Sequence, residues 1–246
     1  MTIAEATTLP GTVLMHRITV SDVDLARSKF ERLMPSGCTF VRCDFRTTTL
    51  DRRLSPLFKA REQNTFRECR FEGADLRAID PGASRFESCV FDGADLRGWN
   101  ASMAEFIDCH FAGRVERVRF YGRPWGSGAE DLIPARTVNA FRGNDFREAE
   151  MIDVAFVMGI EIEKQRWPQG DEYVRLDRIH QRLTRGHGAI LRWKDLAPRG
   201  EAMAMMQDLS LLYRQQNEVI ARRSDPRRAT PPEIQDRVWA TLASVL

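Results

Sequence analysis

The sequence predicts a mainly β solenoid of square cross-section, followed by an α-helical C-terminal region, on three observations. The first is internal repetition. Phe71-Glu-Gly-Ala-Asp-Leu-Arg77 returns 20 residues later as Phe91-Asp-Gly-Ala-Asp-Leu-Arg97 and echoes at Phe111-Ala-Gly113. Cys69, Cys89 and Cys109 keep the same step, as do Phe66, Phe86 and Phe106. The second is a large apolar residue at every fifth position: Phe66, Phe71, Leu76, then Phe86, Phe91, Leu96, then Phe106, Phe111. The third is a small residue two places before many of these centres, at Cys69, Ala74, Ser84, Cys89, Ala94, Ala104 and Cys109.

A period of five matches neither the 3.6 of a helix nor the 2 of a plain strand. It matches a short extended side and a corner, so four sides close one coil. Stacked coils bury the central residue and the small one two before it, while the residues flanking the centre point outward. Gly73, Gly93 and Gly113 recur at one corner, where a residue without Cβ turns freely. Upstream, Val20, Leu25, Phe30, Phe40, Phe45 and Leu50 hold the step, with Pro35 in the gap; downstream, Phe141, Phe146, Met151 and Phe156 resume it. The motif also reads Phe40-Val-Arg-Cys-Asp-Phe-Arg46 and Phe141-Arg-Gly-Asn-Asp-Phe-Arg147, so its spacing is 31, 20, 20 and 30. The long intervals therefore hold insertions of 11 and 10 residues. After an N-terminal segment 1–17, the repeat spans 18–160. It makes about six coils, roughly 30 Å of rod at ~4.8 Å per coil.

Units such as Ala74-Asp75-Leu76-Arg77-Ala78 and Ala94-Asp95-Leu96-Arg97-Gly98 resemble the A(D/N)LXX units of pentapeptide-repeat proteins. The resemblance implies a right-handed quadrilateral β-helix. It also implies a partner class, because the best-known members are DNA mimics. They bind DNA gyrase or topoisomerase IV in place of duplex DNA and protect against quinolones or natural gyrase poisons. The insertions here are similar to the loops of plasmid-borne quinolone-resistance members, which contribute to that protection. Mimicry of DNA asks for a strongly acidic rod. Residues 18–160 carry 22 acids and 21 bases, so this rod is balanced.

The whole chain of 246 residues is balanced too, with 37 Lys and Arg against 35 Asp and Glu. That charge points to no polyanion, and direct nucleic-acid binding is not expected. With 43% apolar and 29% charged residues, a disordered or collagen-like chain is excluded. No run approaches the ~18–20 apolar residues of a membrane span. The start lacks a basic stretch followed by an apolar core, so a secretory signal is not expected. An odd count of five cysteines then reads as the reduced thiols of a cytoplasmic protein.

The insertions lie within 51–63 and 121–138. Same-phase insertions leave a solenoid on the same side, so the loops should flank one face. Either they are merely tolerated there or they dock a protein partner, since loops on rigid scaffolds often carry function. In the second case Leu57, Phe58 and Trp125 are the apolar contacts, and Arg52, Arg53, Lys59 and Arg123 the charged ones. Trp99 stands two places before a small centre, Ala101, and is expected in the core.

No enzyme activity, cofactor or metal is expected. The cysteine column fills small inward positions, with no CxxC spacing or clustered histidine to hold zinc. His16, His110, His180 and His187 are scattered, and neither a Ser/His/Asp set nor a phosphate-cradling glycine loop is present. Outward pairs Asp44 and Arg46, Asp75 and Arg77, Asp95 and Arg97, and Asp145 and Arg147 flank their centres and should neutralise one another.

Beyond Gly159 the spacing turns helical. Tyr173, Leu176, Ile179 and Leu183 form one stripe ending at Gly186, and Met203, Met206, Leu209, Leu212 and Tyr213 a second within 200–223. Thr230-Pro-Pro-Glu233 starts a third helix with Ile234, Val238, Leu242 and Val245 on its apolar face. Arg222 to Arg228 reads as an exposed basic linker. Residues 161–246 should cover the open solenoid end, with dimerisation through the final helix as the alternative. The function expected is a non-catalytic scaffold docking one protein partner, with type II topoisomerase protection its most specific form. Two alternatives stay open. One is a toxin-immunity or self-resistance factor. The other is an enzyme or accessory protein with a small-molecule site at the C-terminal helices, near His180 and His187, which a polar pocket at the rod–helix junction would favour.

Overall fold

The computed structural model describes residues 7–9, 12–26, 29–30, 32–50, 58, 60–77 and 79–246. Short strands recur with the sequence period and stack in parallel. Val20, Phe40, Phe66, Phe86, Phe106 and Phe141 lie in register on one side, on Thr19–Ser21, Thr39–Val41, Thr65–Arg67, Arg85–Glu87, Glu105–Ile107 and Phe141–Arg142. The next side stacks through single bridges from Asp24 by way of Asp44, Arg70, Val90, His110 and Asp145 to Arg166. The corner joining them uses a left-handed residue in each coil, from Asp22 at φ 57° to Asp108 at φ 53° and Gly143 at φ 69°. The following corner falls to Thr47, Gly73, Gly93 and Gly113, as the spacing predicts. The remaining sides merge at the C-terminal end into long parallel strands, Gly113–Tyr121 and Ala149–Val157, turned at Arg117 and Asp153. At the other end Thr7–Leu9 lies antiparallel on Thr12–His16 and covers that edge.

This register piles ring upon ring. Phe40, Phe66, Phe86 and Phe106 form a column with centroids 4.9, 5.2 and 5.1 Å apart. Phe45, Phe71, Phe91, Phe111 and Phe146 form a second at 5.0, 5.0, 5.1 and 4.5 Å. The columns meet edge to face, as Phe71 and Phe86 do at 78°. Each such aromatic pair contributes about 0.5–1.5 kcal/mol beyond its buried area. Cys43, Cys69, Cys89 and Cys109 are free and buried. Their thiols face carbonyls one coil back, Cys89 Sγ donating to Phe66 O at 3.2 Å and Cys109 Sγ to Phe86 O at 3.4 Å. Trp99 is buried, and its Nε1 donates to Leu76 O at 2.8 Å.

The outward charges close on one another: Arg46–Asp44 at 2.6 Å, Arg77–Asp75 at 2.7 Å, Arg97–Asp95 at 2.6 Å and Arg147–Asp145 at 2.6 Å. The hydrogen bond from Arg147 holds the largely buried Asp145 carboxyl down to about 2. An unfolded aspartate titrates near ~3.9, so this pair contributes roughly 2 kcal/mol that is complete above about pH 4 and lost as pH falls through about 2. The urea midpoint should therefore drop over that interval and drop less in Asp145→Asn; parallel acid limbs for the two proteins would contradict the assignment.

The coil continues past residue 160. Gly143 N donates to Lys164 O and Phe146 N to Arg166 O, both at 2.8 Å, and Trp167 stacks on Phe146 at 5.1 Å to close the second column. The C-terminal region departs from its sequence reading in three places. Tyr173–Leu176 is a strand paired antiparallel with Val219–Arg222; over so few residues the apolar spacing fits either period, and the distant pairing decides. The helices are α1 (Ile179–Ile190), α2 (Leu196–Leu212) and α3 (Pro232–Ser244), so α1 runs through Gly186 and α2 ends before 223. The stretch from Arg222 to Arg228 is not an exposed linker. Asp225 is buried, and Arg227 Nε donates to the buried Glu116 at 2.7 Å. Burial opposes ionisation of Glu116, yet the hydrogen bond from Arg227 and the charge of Arg114 outweigh it and hold the carboxyl below its usual range.

The last coil has backbone N–H groups with no further coil to pair them. Side chains of the C-terminal region accept from them instead: Tyr173 Oη from Met151 at 3.0 Å, Asp225 from Asp153 at 2.6 Å, Gln216 from Gly159 at 2.8 Å, and Glu218 from Ile162 at 3.0 Å. This is the edge protection that an open solenoid needs.

Candidate functional site

Residues 122–140 leave the rod after Gly113–Tyr121 and return at Phe141–Arg142. Their ends are clasped. Asn139 N donates to Gly122 O at 2.9 Å, and its Nδ2 donates to Ser102 O at 3.1 Å and Tyr121 O at 3.0 Å. Gly122 is required at this root: a Cβ there would meet Ile160 N at 2.7 Å and Met158 O at 2.8 Å, both backbone. Gly122→Ala should therefore cost about 1–3 kcal/mol and speed amide exchange at Asn139. An unaltered urea midpoint would place the root elsewhere.

From its root the loop lies back along the earlier coils. Arg136 donates to Met103 O and, at 3.4 Å, to Ala83 O. Burial pulls its guanidinium below the ordinary arginine range, with Glu105 pulling the other way. Glu105 is buried and accepts from Ala140 N at 2.9 Å and from Gln63 Nε2 at 2.8 Å. Ile133 bridges in parallel to Glu62, with Ile133 N donating to Arg61 O at 3.1 Å and Gln63 N to Ile133 O at 2.8 Å. The second insertion thus touches the chain at the end of the first. The loop is tied to three coils through backbone partners, yet it exposes Trp125 at 47%, Ile133 at 54% and Val138 at 58%. Tied down in this way, it can present those exposed apolar side chains to another protein.

Other hollows have a different character. A cavity of about 510 Å³ at the rod–helix junction is lined by Asp95, Arg97, Arg114, Glu116 and Arg227, among others. Its charges face one another, Arg97 on Asp95 at 2.6 Å and Arg114 on Glu116 at 2.9 Å. His187 lines a separate groove between α1 and α2 with Leu183, Met203, Met206 and Gln207. Among the described residues no group of three or more His, Cys, Asp and Glu could hold a metal ion, and no helix is long and apolar enough to cross a membrane.

The family model for pentapeptide repeats matches residues 65–100, in eight copies. That segment is a run of pentapeptide repeats. It is the stretch whose Phe66, Phe71, Phe86 and Phe91 build the two ring columns. No curated protein matches the chain. Among solved structures, a trypsin-treated form of QnrB1, a plasmid-mediated fluoroquinolone resistance protein, is 16% identical at a TM-score of 0.29, covering 63% of this chain and 81% of that one. Full-length QnrB1 is 15% identical at 0.21, covering 63% and 81%. HetL, a pentapeptide-repeat protein of heterocyst differentiation regulation from the cyanobacterium Nostoc sp. strain PCC 7120, is 10% identical at 0.15, covering 63% and 83%.

On this rod, the residues expected at the docking loops fall in three groups. Trp125 and Arg123 are exposed on the second loop. Arg52, Arg53, Leu57 and Lys59 lie outside the described residues. Phe58 is corrected: it is fully buried, 5.2 Å from the Phe66 ring and 5.3 Å from Phe86. Its ring also meets Phe71 and Trp99 edge to face at 6.1 and 5.9 Å, so its volume belongs to the core. Asn139, Arg136, Glu105 and Ile133, which hold the loop in place, carried no sequence signal.

Proposed function

We propose that the chain is a non-catalytic scaffold, built on a right-handed quadrilateral solenoid of about six coils, that docks a protein partner through the 122–140 loop. The observation that supports it most is the loop itself, tied to coil backbone by Arg136, Asn139 and Ile133 while Trp125, Ile133 and Val138 stay exposed. The most specific partner is a type II topoisomerase. The pentapeptide repeats and the resemblance of the inserted loops to those of quinolone-resistance members favour it. The neutral, ion-paired surface argues that recognition runs through loop contacts and not through mimicry of the DNA polyanion. Purified gyrase, assayed for supercoiling with a quinolone, should retain more activity when this protein is added. Absence of both protection and inhibition would remove the topoisomerase form of the proposal.

A small-molecule site is the second reading, and the junction cavity is what favours it. The opposed charges along that cavity and the place of His187 in a separate groove weigh against it.

A further inference from the structure

One face of the Trp125 indole lies under the guanidinium of Arg214, 5.6 Å from the ring centroid. Arg214 follows α2, so the loop and the C-terminal region meet at this ring. Leu211, in the last turn of α2, is 64% exposed, and Arg123 is exposed beside Trp125 in the chain. Four of the rod's outward guanidiniums, Arg46, Arg77, Arg97 and Arg147, close on a carboxylate within 2.7 Å. Among the described residues, neither Arg123 nor Arg214 has a carboxylate within 4.0 Å.

We propose that Trp125, Leu211, Arg123 and Arg214 form one docking surface shared by the loop and the C-terminal region, which takes an acidic protein segment carrying an apolar anchor. The proposal rests on the docking role of the loop and adds the chemistry of the partner. An exposed tryptophan and leucine supply the apolar centre. Arg123 and Arg214, with no carboxylate within 4.0 Å among the described residues, supply the charge that carboxylates from outside would satisfy. A guanidinium already held over the indole is ordered before the partner arrives, which reduces the entropy lost on docking.

The test titrates the full-length protein with three fluorescein-labelled probes at low salt, reading anisotropy. Two are short peptides sharing the same leucines, one built with Asp and Glu and one with Lys. The third is a single-stranded oligothymidylate. The acidic peptide should bind at least ~10-fold more tightly than the basic one, and Arg214→Glu and Trp125→Ala should each weaken it by roughly 10-fold. Arg123→Glu, at an exposed position, should weaken it as well, and circular dichroism melts identify the variants that keep the fold. Equal binding of the two peptides overturns the proposal. So does undiminished binding by folded Arg214→Glu and Arg123→Glu, or tighter binding of the oligothymidylate. The gyrase result is independent: acidic-peptide binding without gyrase protection removes the topoisomerase partner alone, and protection untouched by Arg214→Glu overturns the role of Arg214 while leaving the scaffold in place.

Discussion

Phe86→Ala is expected to cost about 3–5 kcal/mol, a large part of the ~5–15 kcal/mol that holds a domain together. The side chain is fully buried, stacked between Phe66 at 5.2 Å and Phe106 at 5.1 Å. Phe58, Phe91 and Trp99 contact it from the side at 5.3, 5.4 and 6.1 Å. Those neighbours cannot move in to fill the hole, because the backbone of each coil is fixed by ladder hydrogen bonds to the coils on both sides. A solenoid also has no contacts beyond its nearest coils to share the loss. Phe86→Leu keeps most of the volume and should cost about 1.5 kcal/mol or less. Urea denaturation reads both, and a Phe86→Ala loss below about 1 kcal/mol would mean that this ring is not sandwiched in a column.

Excision of residues 123–138 should leave the rod folded and abolish partner docking. The connection is already closed at its base, with Asn139 N on Gly122 O at 2.9 Å, so a short linker can bridge the ends without moving either coil. Glu105 keeps Ala140 N and Gln63 as donors after Arg136 is gone. The cost to stability should thus stay near ~1–2 kcal/mol, chiefly from the lost bonds to Arg61 and Gln63. The expected functional change is far larger, roughly 100-fold in the concentration of protein that protects gyrase from a quinolone. A folded excision variant that protects as well as the intact chain would show that the loop has no part in docking.

The difference between what sequence disclosed and what it concealed follows from the range of the interactions. Phe66, Phe86 and Phe106 could be placed on successive coils because one local period dictates both side-chain direction and stacking. Trp99 could be placed inside for the same reason, its bulk compensating the small Ala101 within one unit. Phe58 could not, because it lies in an insertion with no period, and its contacts with Phe66, Phe86 and Trp99 come from other units. The loop's anchors were hidden as well. Arg136 and Asn139 bond backbone carbonyls at Ala83, Met103 and Ser102, and a carbonyl is the same group in every residue. Tyr173–Leu176 illustrates a third kind of concealment: its strand character depends on Val219–Arg222, far along the chain, while its own spacing suits a helix equally well. Of the docking surface, Trp125 and Arg123 were legible as exposed loop residues, whereas Arg214 becomes relevant only once α2 is folded against the rod.

The most direct measurement is proton–proton Overhauser contacts between phenylalanine rings in protein labelled selectively at phenylalanine. Stacking in the register described here places Phe66 against Phe86 and Phe86 against Phe106, and likewise Phe71 against Phe91 and Phe91 against Phe111. Ring contacts at those steps are the expected result. Contacts confined to neighbours within a single unit, such as Phe66 with Phe71 and Phe86 with Phe91 alone, would contradict it.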